Sequence, residues 1–162
     1  MINCDLYDKD ADYKIDARDL SHLKDETVDS IYSSNLLEHF TILESRNVLQ
    51  EWNRVLKKGG YLVLSVPDMK KIIDTSHEWL NADWLDIPPP KLWDSIMKTI
   101  FGWQHVGPGQ IHQWGYSPKY LAHRLEKNGF EVKELYSGYP NRPTPNFTVI
   151  AVKIKKEDKE NE

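Results

Sequence analysis

The stretch "NRVLKKGGYLVLSVPD", from Asn53 to Asp68, does most to limit what this chain can become. It reads as the end of a helix, a two-glycine stop, and an apolar strand that closes on Pro67. Lys57 and Lys58 sit where a helix dipole favours cations, and Gly59 suits the left-handed residue that ends a helix. "YLVLSV" shows almost no polar alternation, which is the pattern of a strand covered on both faces. Upstream, Thr41 followed by Glu44 predicts a capping box that opens the helix. Leu43, Val48, Leu49, Trp52, Val55 and Leu56 then recur at helical spacing and predict one buried face.

The same alternation extends in both directions. "VDSIYSS" from Val28 is a short strand candidate, and "INCDL" and "DYKID" are weaker ones that each close on an acidic residue. Ser117 with Pro118 predicts an N-cap followed by proline at the first helical position, and "KYLAHRLEKNG" carries that helix to Gly129. "FEVKELYS" and "NFTVIAVKI" read as an antiparallel pair joined by "GYPNRPTP". The segment from about 69 to 116, rich in Trp and Pro, reads as an insertion over the sheet, with Trp79, Trp84 and Trp93 facing the core. The expectation is therefore one α/β domain over 1–155 and a disordered charged tail over 156–162.

Composition narrows the function classes. A net charge of −4 across 162 residues offers no bulk attraction to nucleic acid or to an anionic membrane surface. No apolar run approaches the length of a membrane span, and no membrane insertion is expected. Cys4 is the single cysteine, so no intrachain disulfide can form and nothing resembles a thiolate zinc site, which suits a reducing cytoplasm.

In an open α/β sheet, ligands gather at the carboxyl ends of the strands, here Asp5, Asp16, Asn35 and Asp68. A carboxylate at one strand end can accept hydrogen bonds from a ribose diol, and a second can accept from an adenine amine. Asp5 and Asp16 fit those two tasks, and each also fits the plainer role of a turn-former.

"DARDLSHLKDETVDSIYSSNLLEHF" followed by "VLQEWNRVLKKGGYLVLSVPD" resembles the class I S-adenosylmethionine-dependent methyltransferases. More narrowly, the chain is similar to predicted methyltransferases of the polysaccharide and cell-surface biosynthesis group, with "N-x-D-L" early and "H-x-W-x-Y-S" late. The resemblance implies a Rossmann-like sheet, mostly parallel, with an antiparallel C-terminal hairpin. It also implies that Asp5 holds the cofactor ribose, that Asp16 and the Ala17 backbone hold adenine, and that Ser34 and Asn35 face the methionine end. His39, in the "LEH" of the turn entering the capped helix, becomes the candidate general base. The bland alternative is a histidine that packs under the helix and bonds a backbone carbonyl.

One departure stands out. The family's cofactor turn is glycine-rich, and this chain has no glycine before Gly59. The resemblance therefore implies that the family's first strand and helix are missing here, that the cofactor site is incomplete, and that S-adenosylmethionine binds weakly or not at all. The gap left in the sheet is filled either by the strand before Asp5 pairing directly with "VDSIYSS" or by a second copy of the chain. The homo-oligomer is the expectation preferred.

In "WQHVGPGQIHQWGYS", His105 and His112 are two histidines seven apart in a glycine-containing loop, which supplies no metal-ligand set, so no metal is expected. His112, Trp114 and Tyr116 instead suit the wall of an acceptor pocket. The function expected is methyl transfer to a small or glycan-linked acceptor. The alternative is a non-catalytic module that keeps the fold.

Overall fold

The computed structural model describes residues 2–80, 90–139 and 142–154. Its sheet has four strands in the order β1-β2-β4-β3: β1 (Val28–Ser34), β2 (Leu56–Pro67), β3 (Phe130–Tyr139) and β4 (Arg142–Lys153). Four helices join them, namely α1 (Ile42–Val55), α2 (Met69–Leu80), α3 (Pro90–Phe101) and α4 (Pro118–Lys127). Strands β1 and β2 are parallel, while β2 with β4 and β4 with β3 are antiparallel. The expectation of a mostly parallel sheet is thus corrected to a mixed one. β4 returns from the hairpin and inserts between β2 and β3, which makes two of the three pairings antiparallel.

Local signals explain most of these elements. Thr41 caps α1, with both halves of the capping box formed to Glu44. Val48, Leu49, Trp52 and Val55 are buried along one side of that helix, whereas Leu43, expected on the same face, is exposed. Ser117 accepts from the Tyr120 N–H at the start of α4, and Gly129 closes that helix with a φ of +83°.

The end of α1 differs from expectation. The helix stops at Val55, and Leu56 through Gly60 already belong to β2. Gly59 does adopt positive φ, +76°, but inside an irregularity where the pairing steps from Val28↔Leu56 to Ser30↔Tyr61. A Cβ on Gly60 would lie 2.8 Å from the Lys57 carbonyl oxygen and 3.0 Å from that of Asp29, so the close approach of β1 and β2 requires glycine there.

One sheet face carries the core. Leu62 sits opposite Ala151, Leu64 opposite Val149 and Val66 opposite Phe147, and all six are fully buried. Leu121, Leu125 and Phe130 join them with the buried residues of α1. The other face is thinner than "YLVLSV" suggested: Tyr32 and Tyr61 are exposed, and burial is confined to its far end, at Ser65, Pro67, Asn146 and Thr148.

The strands expected at "INCDL" and "DYKID" reduce to a single parallel bridge between Cys4 and Tyr13. Ile2 and Tyr13 are largely exposed, so these acidic segments have too little apolar surface to bury for extended pairing. The strand before Asp5 does not move across to pair with β1, which lies at an edge of the sheet among the described residues. The hairpin strands extend into "GYPNRPTP", where Tyr139 pairs with Arg142. Trp84 and the tail 156–162 lie outside the described residues, as do the side chains of Trp79 and Trp93.

Replacing the cap tests the local account. Thr41→Ala is expected to cost about 1 kcal/mol of stability in urea denaturation, whereas Leu43→Ala, at an exposed site on the same helix, changes it by less than about 0.5 kcal/mol.

Candidate functional site

The carboxyl ends of β1 and β2 are fixed by a non-glycine residue in the left-handed region. Asn35 has a φ of +49°, its N–H donates to the Ser65 carbonyl at 2.9 Å, and its Oδ1 accepts from Asn146 Nδ2 at 2.7 Å. Asparagine tolerates this conformation better than other residues. The chain then makes a 3-10 turn, Leu37–His39, that drives Leu37 into the core.

A loop from the far side of the chain closes over this turn. Its arms pair through Gly102 and Ile111, and its returning arm reaches back so that the N–H groups of Gln113 and Trp114 both donate to the Glu38 carbonyl, at 2.8 and 3.1 Å. Gln113 Nε2 also donates to the His39 carbonyl at 2.7 Å. The clasp brings His112 against His39, with ring centroids 4.8 Å apart and the rings edge to face. The Nδ1 of His39 meets the Ile111 carbonyl at 3.0 Å, and the Nδ1 of His112 meets the Thr99 carbonyl at 2.8 Å. His39 therefore makes the backbone-carbonyl contact of the bland alternative, and Nε2 is the nitrogen left for chemistry.

The other expected residues fall into two groups. Asp5 Oδ1 accepts from the N–H groups of Tyr7 and Asp8, and Asp16 is paired with Arg18, whose Nη1 also donates to Glu44. Both aspartates thus organise their own turns. Ala17 packs at the margin of the core, and Ser34 is half-buried at the end of β1. Trp114 is partly exposed, and with His112, Gln113, Phe101 and Met69 it lines an open cavity of about 360 Å³. A neighbouring cavity of about 390 Å³ is lined by Trp114, Met69, Lys70, Ile73 and Tyr120. Tyr116, expected on the pocket wall, is 1% exposed and packs in the core beside Tyr120. His105 is exposed at the loop tip, its ring tilted against that of Trp103.

Glu38 is the residue that sequence reasoning undervalued. It is 2% exposed, and neither carboxyl oxygen has a hydrogen-bond partner among the described residues. Its setting in "LLEHF", an acid between Leu37 and Phe40, was the available signal.

Residues 5–64 match the family model described as a methyltransferase domain. No curated protein sequence matches the chain. Among solved structures, the chain is similar to a SAM-dependent methyltransferase from Archaeoglobus fulgidus, with a TM-score of 0.60 at 15% identity over 94% of this chain and 75% of that one. It is also similar to the Burkholderia thailandensis 1,6-didemethyltoxoflavin-N1-methyltransferase solved with S-adenosylhomocysteine, with a TM-score of 0.56 at 12% identity over 88% of this chain and 51% of that one. A third similar structure is a complex with the Haloferax volcanii Trm112 methyltransferase activator, with a TM-score of 0.55 at 17% identity over 86% of this chain and 59% of that one. The chain thus spans little more than half the length of two of these three. The fold is methyltransferase-like.

Burial sets the electrostatics of the clasp. It pushes the Glu38 carboxyl up to about 8, and it lowers the proton affinity of both His39 and His112. Between the ordinary value of 4.5 and about 8, folded Glu38 keeps a proton that the unfolded chain releases, so stability falls as pH rises. The histidines act oppositely below their ordinary 6.5, where the unfolded chain binds more protons and stability rises with pH. The loss is therefore clearest from about pH 6.5 to 8. Glu38→Gln is expected to abolish it, as read from urea midpoints across that range in metal-free buffer.

Proposed function

We propose that this chain is an S-adenosylmethionine-dependent methyltransferase domain acting on a small or glycan-linked acceptor. The observation that carries the reading is the methyltransferase-domain match, which runs through Asp5, Asp16, Asn35 and His39 and ends in β2. S-adenosylmethionine is the cofactor supported by that match and by the neighbours.

The residues fit the two halves of the cofactor unequally. On the adenosine side, Asp5 keeps one carboxylate oxygen without a hydrogen bond among the described residues, whereas both Asp16 oxygens already accept from Arg18, through its backbone N–H, Nε and Nη2, so a ligand there would have to share or displace that pairing. On the methionine side, Ser34 and Asn35 are the polar groups at the strand ends, and no glycine turn before Gly59 lets a ligand approach the backbone. When bound, the cofactor supplies a methyl group on a sulfonium. The chain's own part is to hold the acceptor in line and, for a hydroxyl acceptor, to take its proton. His39 is suited to that second task, since burial keeps it neutral at pH 7 and Nδ1 is already engaged. Trp114 and His112 form the acceptor wall, beside cavities in the size range of small-molecule sites.

The finer placement in polysaccharide or cell-surface biosynthesis rests on "LEH" and "HQWGYS", the two stretches that the clasp joins. An exposed, unpaired Cys4 fits a cytoplasmic setting. No helix among the described residues is long and apolar enough to cross a membrane. The homo-oligomer is proposed to form by pairing at the β1 edge, whose backbone takes one strand partner among the described residues. Sedimentation equilibrium should give a dimer or larger species at micromolar concentration, and a folded monomer throughout that range overturns this pairing.

Calorimetry with S-adenosylmethionine tests the main reading. Binding weaker than the low micromolar range is expected, and Asp5→Ala should weaken it by about 1.5–3 kcal/mol, roughly 10- to 150-fold. Tight binding that Asp5→Ala leaves intact would remove Asp5 from the site, and no binding at all would favour a non-catalytic module.

A further inference from the structure

We infer that Glu38, His39 and His112 form a binding site for a divalent transition-metal ion of zinc-like chemistry. The three residues each place a ligand atom within 4.8 Å of the other two. They come from the 3-10 turn and from the returning arm of the loop, and four hydrogen bonds between those segments, that of His39 Nδ1 with the Ile111 carbonyl included, hold them in register.

Each imidazole is prepared in the manner of a metal ligand. Its Nδ1 is committed to a backbone carbonyl, Ile111 for His39 and Thr99 for His112, which sets the tautomer so that Nε2 carries the lone pair, and the His39 ring also meets the Asn35 backbone. The third member is the more telling. A carboxyl group withdrawn from water with neither oxygen partnered among the described residues is costly, and a cation is the partner that would offset that cost most fully. Two imidazoles and one carboxylate suit zinc and its neighbours among the first-row divalent ions, whereas magnesium and calcium prefer sites built of oxygens. Metal–ligand bonds of about 2.0–2.1 Å place tetrahedral ligand atoms roughly 3.3 Å apart, so binding closes the present cluster by at most about 1.5 Å. The open cavity that His112 lines gives the ion an approach from that side.

The site does not depend on methyl transfer. It also differs from the histidine pair weighed from sequence, because His105 lies away at the loop tip and His39 takes its place. A cation bound to His39 Nε2 occupies the nitrogen that the proposed function uses as a base, so the base role belongs to the metal-free chain.

The full chain, stripped with a chelator and titrated with zinc chloride against a chromophoric competitor, is expected to bind one equivalent. Glu38→Gln and His112→Ala should each weaken that binding at least tenfold, and His105→Ala should leave it unchanged. Equal affinity in all four proteins, or a loss confined to His105→Ala, overturns the site. Circular dichroism of each variant shows whether it is folded. For a variant that is not, cobalt(II) loading of the wild-type chain decides. Ligand-field absorption of a low-symmetry site that zinc abolishes supports the inference, and the spectrum of hydrated cobalt alone overturns it. Because no S-adenosylmethionine is present, a failure here leaves the cofactor isotherm standing, and a failure there leaves this titration standing.

Discussion

The antiparallel pairing of β2 with β4 is the constraint on which the rest of the molecule hangs. It aligns Leu62 with Ala151, Leu64 with Val149 and Val66 with Phe147, and so builds the one continuous apolar face against which the buried sides of α1 and α4 gather. β2 also serves as the parallel partner of β1, so its register decides where the exit of β1 lies. The Asn35 N–H bonded to Ser65 and the Asn35 side chain bonded to Asn146 transmit that register to the turn that follows. The position of the candidate site is thus a consequence of sheet pairing, and the loop that completes the site is fitted afterwards onto a turn already fixed.

What could be read from the sequence divides along the range of the interaction. Both helix caps were legible because Thr41 with Glu44, and Ser117 with Pro118, complete their bonds within a few residues. The hairpin of β3 and β4 was legible for the same reason, since its strands are adjacent in sequence. The end of α1 was not. Lys57, Lys58 and Gly59 have the local chemistry of a helix stop, yet pairing with β1 draws them into an irregular strand, and tertiary contact overrides the local preference. The N-terminal strands failed in the opposite sense, because short acidic segments without enough apolar surface leave only the Cys4 and Tyr13 bridge among the described residues.

The site shows the same division. Asp5 and Asp16 were chosen for their place after strand candidates, and the structure has each carboxylate first serving its own turn or the Arg18 pair. His39 and His112 were both singled out, but their meeting was not foreseen. His39 and Ile111 are 72 positions apart, and only the docking of the loop on the turn sets that contact. Spacing along a chain finds ligand sets that share one helix or loop. It does not find a set shared between two segments held by backbone hydrogen bonds.

Backbone and side chain have separable roles at Glu38. Its carbonyl accepts both loop N–H groups, and any residue at that position would supply the same acceptor. Leu37 and Phe40 on either side anchor the turn in the core, so position 38 is buried whatever it carries. An apolar residue of similar size would fill the space and avoid the roughly 1–3 kcal/mol cost of a buried polar group left unpartnered. Folding therefore supplies no reason for the carboxyl group, and its burial is a cost to this part of the structure. Such a cost persists where the group does something the fold does not need, and the two neutral imidazoles beside it give that purpose a chemical identity.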